Sequence, residues 1–226
     1  MDEILKKLAL NMVNKVPELI KCFWQTLHMM ALTGIIAFTI GLVLALILTV
    51  TRKGDILENL SLWTVLDKII NLFRSIPFII LLALLIPVTR FIAGTAIGVK
   101  GSIVPLVFGT APFFTRQMEN ALAEIDRGSI EAAQSIGTGP WGIIFRVYLK
   151  ESVPGIIRGT TITFINLVGL TAMAGAVGGG GLGDFAIRYG YQRYQTDITV
   201  ITVIILILIV TVIQALGSFF SKKTLH

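Results

Sequence analysis

Long apolar runs separated by short polar intervals dominate the chain. An α-helix needs about 20 apolar residues to cross a bilayer. Prolines within some of the runs are compatible with membrane helices, because neighbouring helices can satisfy the carbonyls that proline frees. The pattern predicts an all-α integral membrane protein, a single membrane domain over residues 1–226. Its five predicted transmembrane helices cover about residues 22–51, 75–91, 102–122, 153–176 and 198–220.

The segment before the first run has a different pattern. Apolar residues such as Ile4, Leu8 and Val16 recur at helical spacing in residues 1–21, with lysines on the opposite side. This pattern predicts an amphipathic helix that lies in the membrane interface. The run that follows is far longer than the apolar part of a secretory signal, about 7–15 residues, so it stays in the mature chain. A polar interval, residues 52–74, separates it from the second run.

Residues 129–152, which we call the elbow, are the longest interval that mixes polar and apolar positions. Gly137 predicts a helix stop, because glycine adopts the left-handed conformation without a steric penalty. Gly139-Pro140 predicts a new start, since proline at the first helical position loses no hydrogen bond. The first predicted helix carries the apolar residues Ile130, Ala133 and Ile136, with Glu131, Gln134 and Ser135 on other faces, and the second carries Trp141, Ile144, Phe145 and Tyr148. Such an elbow on the water side predicts a docking surface.

Composition agrees with a membrane protein. Hydrophobic residues make up 54% of the chain and charged residues 14%, whereas a soluble domain carries about 25% charged residues. The net charge of +6 fits loops that face anionic lipid and does not indicate nucleic-acid binding. The single cysteine, Cys22, excludes an internal disulfide and a cysteine metal cluster.

Basic residues predict the orientation. With the N-terminus outside, the inner segments hold Arg52, Lys53, Lys68, Arg74, Arg116, Arg127, Arg146, Lys150, Lys222 and Lys223. The outer segments between spans hold Arg90, Lys100, Arg188 and Arg193. The positive-inside rule therefore favours an outer N-terminus and a cytoplasmic C-terminus, although the lysines of residues 1–21 argue against it.

The chain lacks its own energy source and its own catalytic chemistry. No Asp, Glu or Lys lies in the middle of a predicted span, and intramembrane carboxylate relays are what proton-driven carriers need. No GxxxxGK[ST] phosphate loop is present, and the GxGxxG at Gly178, Gly180 and Gly183 follows a membrane helix rather than a strand. We expect neither an enzyme nor a cofactor-binding chain. The glycines predict either close helix packing or a segment that lines a substrate path.

The elbow resembles a known docking loop. Glu131-Ala132-Ala133, three further residues and Gly137 are similar to the EAA loop of ATP-binding-cassette importer permeases, but Lys150 stands where that family usually has proline. The stretches 73–79, 110–122 and 171–178 resemble the permease subunit of bacterial methionine importers. The similarity covers nearly the whole chain.

The resemblance implies an importer permease in the bacterial cytoplasmic membrane, surrounded by lipid and carrying an amino acid, with methionine favoured. It implies a homodimer, two ATP-binding subunits, which would use ATP and Mg²⁺, and an extracytoplasmic substrate-binding (lipo)protein. The residues implied in ATPase docking are Glu131, Ala132, Ala133, Gly137 and Pro140. The alternatives are another small amino acid or a quaternary amine as cargo, or a membrane scaffold that transports nothing.

A stripe on the fourth predicted span gives the candidate substrate path. Asn166, Leu170 and Met173 are three or four residues apart and share one helix face. A thioether side chain suits a gate that repacks around an apolar substrate. Core filling remains the alternative for Met173, and a hydrogen bond between helices remains the alternative for Asn166.

Overall fold

A computed structural model describes residues 15–224, and every regular element in that range is a helix. Most of the predicted interfacial segment, residues 1–14, lies outside the described residues. In chain order the α-helices are α1 Val16–Thr51, α2 Leu60–Ser75, α3 Phe78–Leu84, α4 Ile86–Ala93, α5 Gly98–Ala123, α6 Arg127–Ser135, α7 Pro140–Ile143, α8 Leu149–Glu151, α9 Val153–Ala174, α10 Gly181–Phe185 and α11 Thr196–Lys223. Segments Ile144–Tyr148, Gly175–Gly179 and Ala186–Tyr191 are π-helical.

The first helix begins earlier than the apolar run does. α1 is 36 residues long and starts at Val16, so the predicted boundary between an interfacial helix and a span at residues 21 and 22 is absent. Pro17 lies in the first turn, where a missing N–H breaks no helical hydrogen bond. No further proline or glycine interrupts the chain before Gly34, which explains the continuous helix.

The polar interval 52–74 is mostly helical, which its charge content did not predict. α2 begins after Asn59, whose side-chain oxygen accepts a hydrogen bond from the Leu62 N–H at 3.1 Å. The apolar residues Leu62, Val65, Ile69 and Leu72 recur every three or four positions and are exposed. The interval therefore contains an amphipathic helix.

The second predicted span, residues 75–91, is divided in two. α3 has 7 residues and α4 has 8, and each is shorter than a bilayer crossing. They meet at Leu85, two residues before Pro87. Proline has no N–H, and its ring collides with the carbonyl four residues earlier, so a helix does not continue regularly through this position.

Within the described residues, three helical stretches are long and apolar enough to cross a membrane: Val16–Thr51, Val153–Gly179 and Thr196–Lys223. α5 has 26 residues and includes the charged side chains of Lys100, Arg116 and Glu119. The predicted all-helical architecture is confirmed for the described part of the chain.

The chain divides into two compact units. The first comprises the described residues up to Gly34, Pro77–Val107 and Phe164–Ile213. Its core includes the buried side chains of Cys22, Leu182, Phe185 and Ile198. At its surface the Arg188 guanidinium pairs with Asp184 at 2.9 Å and lies 4.7 Å from the centre of the Tyr189 ring.

The second unit comprises Ile35–Ile76, Phe108–Thr163 and the described residues from Gln214 onward. Its core joins α1, α5 and the elbow through Ala45, Val50, Phe114, Met118, Leu122, Ile130, Ile143, Ile144, Val147 and Tyr148. α2 is held to α5 by Arg116, which pairs with Asp67 of α2 and, at 2.5 Å, with Glu119. α5 also contacts α9 closely: a Cβ on Gly155 would lie 2.8 Å from the Ala121 Cβ.

Candidate functional site: the elbow and the α9 stripe

The first half of the elbow ends in a hydrogen-bonded glycine cap. Gly137 has a φ of +78°. Its N–H donates to the Gln134 carbonyl at 2.9 Å, and the Thr138 N–H donates to the Ala133 carbonyl at 3.0 Å. These two bonds satisfy carbonyls at the end of α6 that would otherwise lack partners. The predicted helix stop at Gly137 is confirmed.

The second half of the elbow starts where the sequence predicts. Pro140 is the first residue of α7, and the Gly139 carbonyl accepts a hydrogen bond from the Ile143 N–H at 3.1 Å. The helical path continues through the π-helical turn to α8, which ends at Glu151 and carries the exposed Lys150. Pro154 lies in the first turn of α9. The second half therefore ends before Pro154, with lysine in place of the family proline.

The inner face of the elbow packs against α5 and α1. Ile130, Ile144 and Tyr148 are buried, and Ala133 is half-buried against the same core. Ile143 and Val147 are buried there too. Ile136, by contrast, follows α6 and is 82% exposed. The reason is local, because the glycine cap ends the helix before Ile136 reaches the inner face.

Trp141 and Phe145 lie outside this core. They are 73% and 62% exposed, and their rings stack with centroids 6.3 Å apart. We call the exposed residues Glu131, Ala132, Ile136, Gly137, Pro140, Trp141 and Phe145 the outer face. Large apolar side chains that are exposed next to one another indicate a surface that contacts another protein or the membrane.

A polar contact lies beneath the elbow. The Tyr148 hydroxyl donates a hydrogen bond of 2.7 Å to Asp55, whose other carboxylate oxygen accepts from the Arg52 Nε at 3.0 Å. Burial raises the pKa of Tyr148 well above its usual range, and the Asp55 carboxylate raises it further. The hydroxyl therefore stays protonated and remains a donor. Sequence reasoning missed this pair because the two residues are 93 positions apart.

Glu131 lies at the edge of a small cleft between α6 and the turn that follows α1. The cleft has a volume of about 90 Å³ and is lined by Gly54, Asp55, Ile56, Arg127, Ile130, Glu131 and Gln134. Among the described residues, no basic side chain lies within ion-pair distance of Glu131. Its carboxylate is therefore exposed and free of an ion pair with any described residue.

The α9 stripe lies on the less buried side of its helix. Asn166 and Leu170 are half-buried, and Met173 is 41% exposed. Leu167, Val168, Thr171 and Ala174 are buried. Met173 therefore does not fill the core of this chain, which counts against core filling as its role.

The glycine tract forms a tight turn, which we call the glycine turn, Gly175–Gly183. A Cβ on Gly175 would lie 2.5 Å from the Asp184 nitrogen, and a Cβ on Gly183 would overlap the Ala172 carbonyl. Two side chains of α1 cap the turn, because Gln25 accepts from the Gly181 N–H at 2.9 Å and Thr26 accepts from the Leu182 N–H at 2.8 Å. These contacts favour close packing as the reason for the glycines, and a helix rather than a strand precedes them.

Comparison with known proteins identifies a family and several relatives of this chain. The family model described as binding-protein-dependent transport system inner membrane component matches residues 37–226. The probable D-methionine transport system permease protein MetI of Vibrio cholerae serotype O1 is 47% identical over 208 residues, which cover 92% of this chain and 92% of that protein. The D-methionine transport system permease protein MetI of Escherichia coli K12 is 48% identical over 157 residues, 70% of this chain and 72% of its own length.

A solved structure, described as inward facing conformations of the MetNI methionine ABC transporter, contains a chain with a similar fold. The TM-score is 0.89 at 45% identity, and the match covers 91% of this chain and 95% of that one. The prediction that the chain is not itself an enzyme is confirmed by these matches, since the relatives are permease proteins. The chain belongs to the family of inner membrane components of binding-protein-dependent transport systems, as a multi-pass membrane protein.

Proposed function

We propose that this chain is the membrane-spanning permease subunit of an ATP-binding-cassette importer whose cargo is methionine. The observation that carries the proposal is the 47% identity to a D-methionine transport permease over 92% of both chains. The similarity extends over nearly the whole of both chains, which supports the same cargo class.

The proposed topology is a single membrane domain with five crossings and an outer N-terminus. α1, α5, α9 and α11 each supply one crossing, and α3 together with α4 supplies the remaining one. The interruption at Leu85 is compatible with a crossing, because broken backbone is tolerated inside a membrane where protein surrounds it. The excess of basic residues in the inner segments supports the orientation.

The outer face of the elbow is the proposed docking surface for an ATP-binding subunit. Glu131, Ala132 and Pro140 are exposed on it, Ala133 packs beneath it, and Gly137 shapes it. The exposed Trp141–Phe145 pair supports the assignment, since aromatic residues are enriched where proteins bind one another. A homodimer would present two such elbows to two ATP-binding subunits, which would use ATP and Mg²⁺.

The packing of the second unit supports a route for motion. Ile143 and Val147 of the elbow share a core with Met118 and Leu122 of α5, so a push on the elbow also moves α5. A Cβ on Gly159 would lie 2.5 Å from the Met118 Cε, which means that α9 packs on α5 without a gap. α9 then continues as one helix to the stripe of Asn166, Leu170 and Met173, the proposed lining of the substrate path.

Uptake in a reconstituted system tests the cargo. The permease, its ATP-binding subunits and its extracytoplasmic binding protein are placed in proteoliposomes, with ATP and Mg²⁺ on the side of the ATP-binding subunits. We expect ATP-dependent uptake of labelled methionine, measured separately for the L- and D-isomers, and competition by unlabelled methionine. Other small amino acids and a quaternary amine serve as comparison substrates. If methionine is neither transported nor competitive, the cargo assignment is wrong.

Co-purification separates the importer from a membrane scaffold that transports nothing. An importer permease retains the ATP-binding subunits and stimulates their ATP turnover in the presence of the loaded binding protein. A scaffold does neither. The family membership favours the first outcome.

A further inference from the structure

The turn between α1 and α2, residues 52–59, is folded back tightly on the end of α1. The Leu57 N–H donates to the Val50 carbonyl and the Asn59 N–H donates to the Thr51 carbonyl, each at 2.9 Å. Within the turn, the Gly54 N–H donates to the Glu58 carboxylate at 2.8 Å. Backbone hydrogen bonds to two successive residues of α1 prevent the turn from pivoting freely, so it moves with α1.

Asp55 is the residue of this turn that reaches the elbow. Its side chain is only 4% exposed. One carboxylate oxygen accepts hydrogen bonds from the Tyr148 hydroxyl at 2.7 Å and from the Ile56 N–H at 2.8 Å, and the other accepts from the Arg52 Nε at 3.0 Å. A buried carboxylate is stable only with such a set of partners. The loss of one partner leaves the charge under-solvated.

Tyr148 holds the other end of the contact. Its side chain is fully buried in the π-helical part of the elbow, among Phe114, Met118 and Ile144. Apolar packing holds the elbow against α1 and α5, but it is non-directional. A hydrogen bond from a hydroxyl to a carboxylate has one preferred geometry and is stronger than a neutral one. The bond therefore fixes the position of the turn relative to the elbow.

We propose that the Tyr148–Asp55 hydrogen bond transmits motion of the elbow to the turn after α1, so that a displaced elbow moves α1 as well as α5. This inference rests on the proposed function, because it assumes that an ATP-binding subunit displaces the elbow. Tyr148 and Asp55 are positioning residues in this scheme, since they contact neither cargo nor nucleotide. Without the bond, the elbow still docks, but its motion reaches α1 incompletely.

Transport per ATP tests the proposal. Tyr148→Phe removes the hydroxyl and keeps the buried ring. In proteoliposomes that contain the whole complex, we expect retention of the ATP-binding subunits and near-normal ATP turnover, while cargo uptake per ATP falls about tenfold, as expected for the loss of one hydrogen bond to a charged group. Tyr191→Phe, at an exposed tyrosine, is the matched control and should transport normally. An unchanged ratio of uptake to ATP turnover in Tyr148→Phe would overturn the proposal.

Variants of the acceptor separate positioning from simple stability. Asp55→Asn keeps an oxygen that accepts from Tyr148 but loses the charge and the acceptor for Arg52, so part of the coupling should remain. Asp55→Ala removes the acceptor and should reproduce the Tyr148→Phe loss. If Asp55→Asn and Asp55→Ala lower coupling equally, or if each merely lowers the amount of folded complex, the hydrogen bond has no positioning role.

A spectroscopic measurement reads the same coupling without cargo. Lys53 of the turn and Gln134 of α6 are exposed and accept spin labels after substitution by cysteine in a Cys22→Ser background. The distance between the labels should keep a narrow distribution with and without ATP in the otherwise unchanged complex, and broaden when Tyr148→Phe is added. A narrow distribution in Tyr148→Phe would contradict the inference. Because the distance is measured without methionine, a failure of methionine uptake would contradict only the cargo assignment and not this inference.

Discussion

The elbow and the glycine turn both interrupt helices with glycine, but for different reasons. At Gly137 in the elbow, φ is +78° and no described atom lies within 4 Å of the position that a Cβ would take. At Gly183 in the glycine turn, a Cβ would overlap the backbone of Ala172. The elbow therefore needs glycine for its conformation, whereas the turn needs glycine for the space it leaves.

The surroundings of the two glycines differ in the same way. The elbow leaves Ile136, Trp141 and Phe145 exposed, and a surface of this kind is available to another protein. The glycine turn buries Gly175, Gly179, Gly181 and Gly183 and is capped by side chains of α1. A motif rich in glycine thus serves contact with a partner in one place and internal packing in the other.

Alanine at Gly183 should have the largest effect on stability. The neighbour is backbone and cannot rotate away, so we expect Gly183→Ala to lower the free energy of unfolding by about 3 kcal/mol. Thermal unfolding and the monodisperse fraction in detergent measure the loss. Gly169→Ala is the control, since no described atom lies within 4 Å of its Cβ position. Equal stability of the two variants would remove the spatial half of the comparison.

Reversal of charge at Glu131 should have the largest functional effect at the elbow. Glu131 is exposed on the proposed docking surface, so Glu131→Lys should leave the membrane domain folded. It should reduce ATP-dependent uptake by about tenfold or more, because a positive charge would replace the carboxylate in the interface with the ATP-binding subunit. Glu151→Lys, at another exposed glutamate in the same unit, should transport normally. Unchanged uptake in Glu131→Lys would contradict the docking role of Glu131.

Alanine at Gly137 tests conformation without crowding. A residue with a Cβ pays about 1 kcal/mol to adopt the left-handed conformation, so Gly137→Ala should lower the unfolding free energy by that amount and weaken docking. Gly139→Ala is the matched variant, because Gly139 has a φ of −68° and also has no described atom near its Cβ position. A cost at Gly139 equal to that at Gly137 would show that conformation is not what the elbow requires.

The smallest change in stability is expected at Met173, one residue before the last position of α9. Its side chain is partly exposed, so Met173→Ala should change the unfolding free energy by no more than about 0.5 kcal/mol. The rate of methionine uptake or its passive leak should nevertheless change, while docking of the ATP-binding subunit stays normal. Uptake and passive leak of methionine in proteoliposomes measure the effect. Normal values for both would leave Met173 without a role in the path.

Local chemistry made the elbow predictable. Gly137 and Gly139-Pro140 specify a stop and a start from the backbone alone, and the structure contains both. The faces of the two helices were less predictable, because the glycine cap and the π-helical turn rotate side chains away from ideal helical spacing. Ile136, next to the cap, is exposed for this reason. The docking role of Glu131, Ala132, Ala133, Gly137 and Pro140 stays a prediction.

Long-range pairs and mixed patterns marked the limit of sequence reasoning. Charges in the interval 52–74 concealed the helix α2, whose apolar residues recur only on one face. Pro87 indicated a membrane helix that tolerates proline, but it divides the run into α3 and α4. The contacts of Asp55 with Tyr148 and of Asp67 with Arg116 join residues 93 and 49 positions apart, and nothing in either local pattern points to its partner.

The pairing of Asp67 with Arg116 has a consequence for how the chain is made. Asp67 leaves the ribosome 49 residues ahead of its cationic partner, so throughout that interval α2 carries a carboxylate with no counterion from α5. An unpaired charge is costly in hydrocarbon, and the nascent α2 must therefore keep Asp67 in water or among lipid headgroups. Synthesis of Arg116 then supplies the counterion, so α2 reaches its final contact only after α5 has been made.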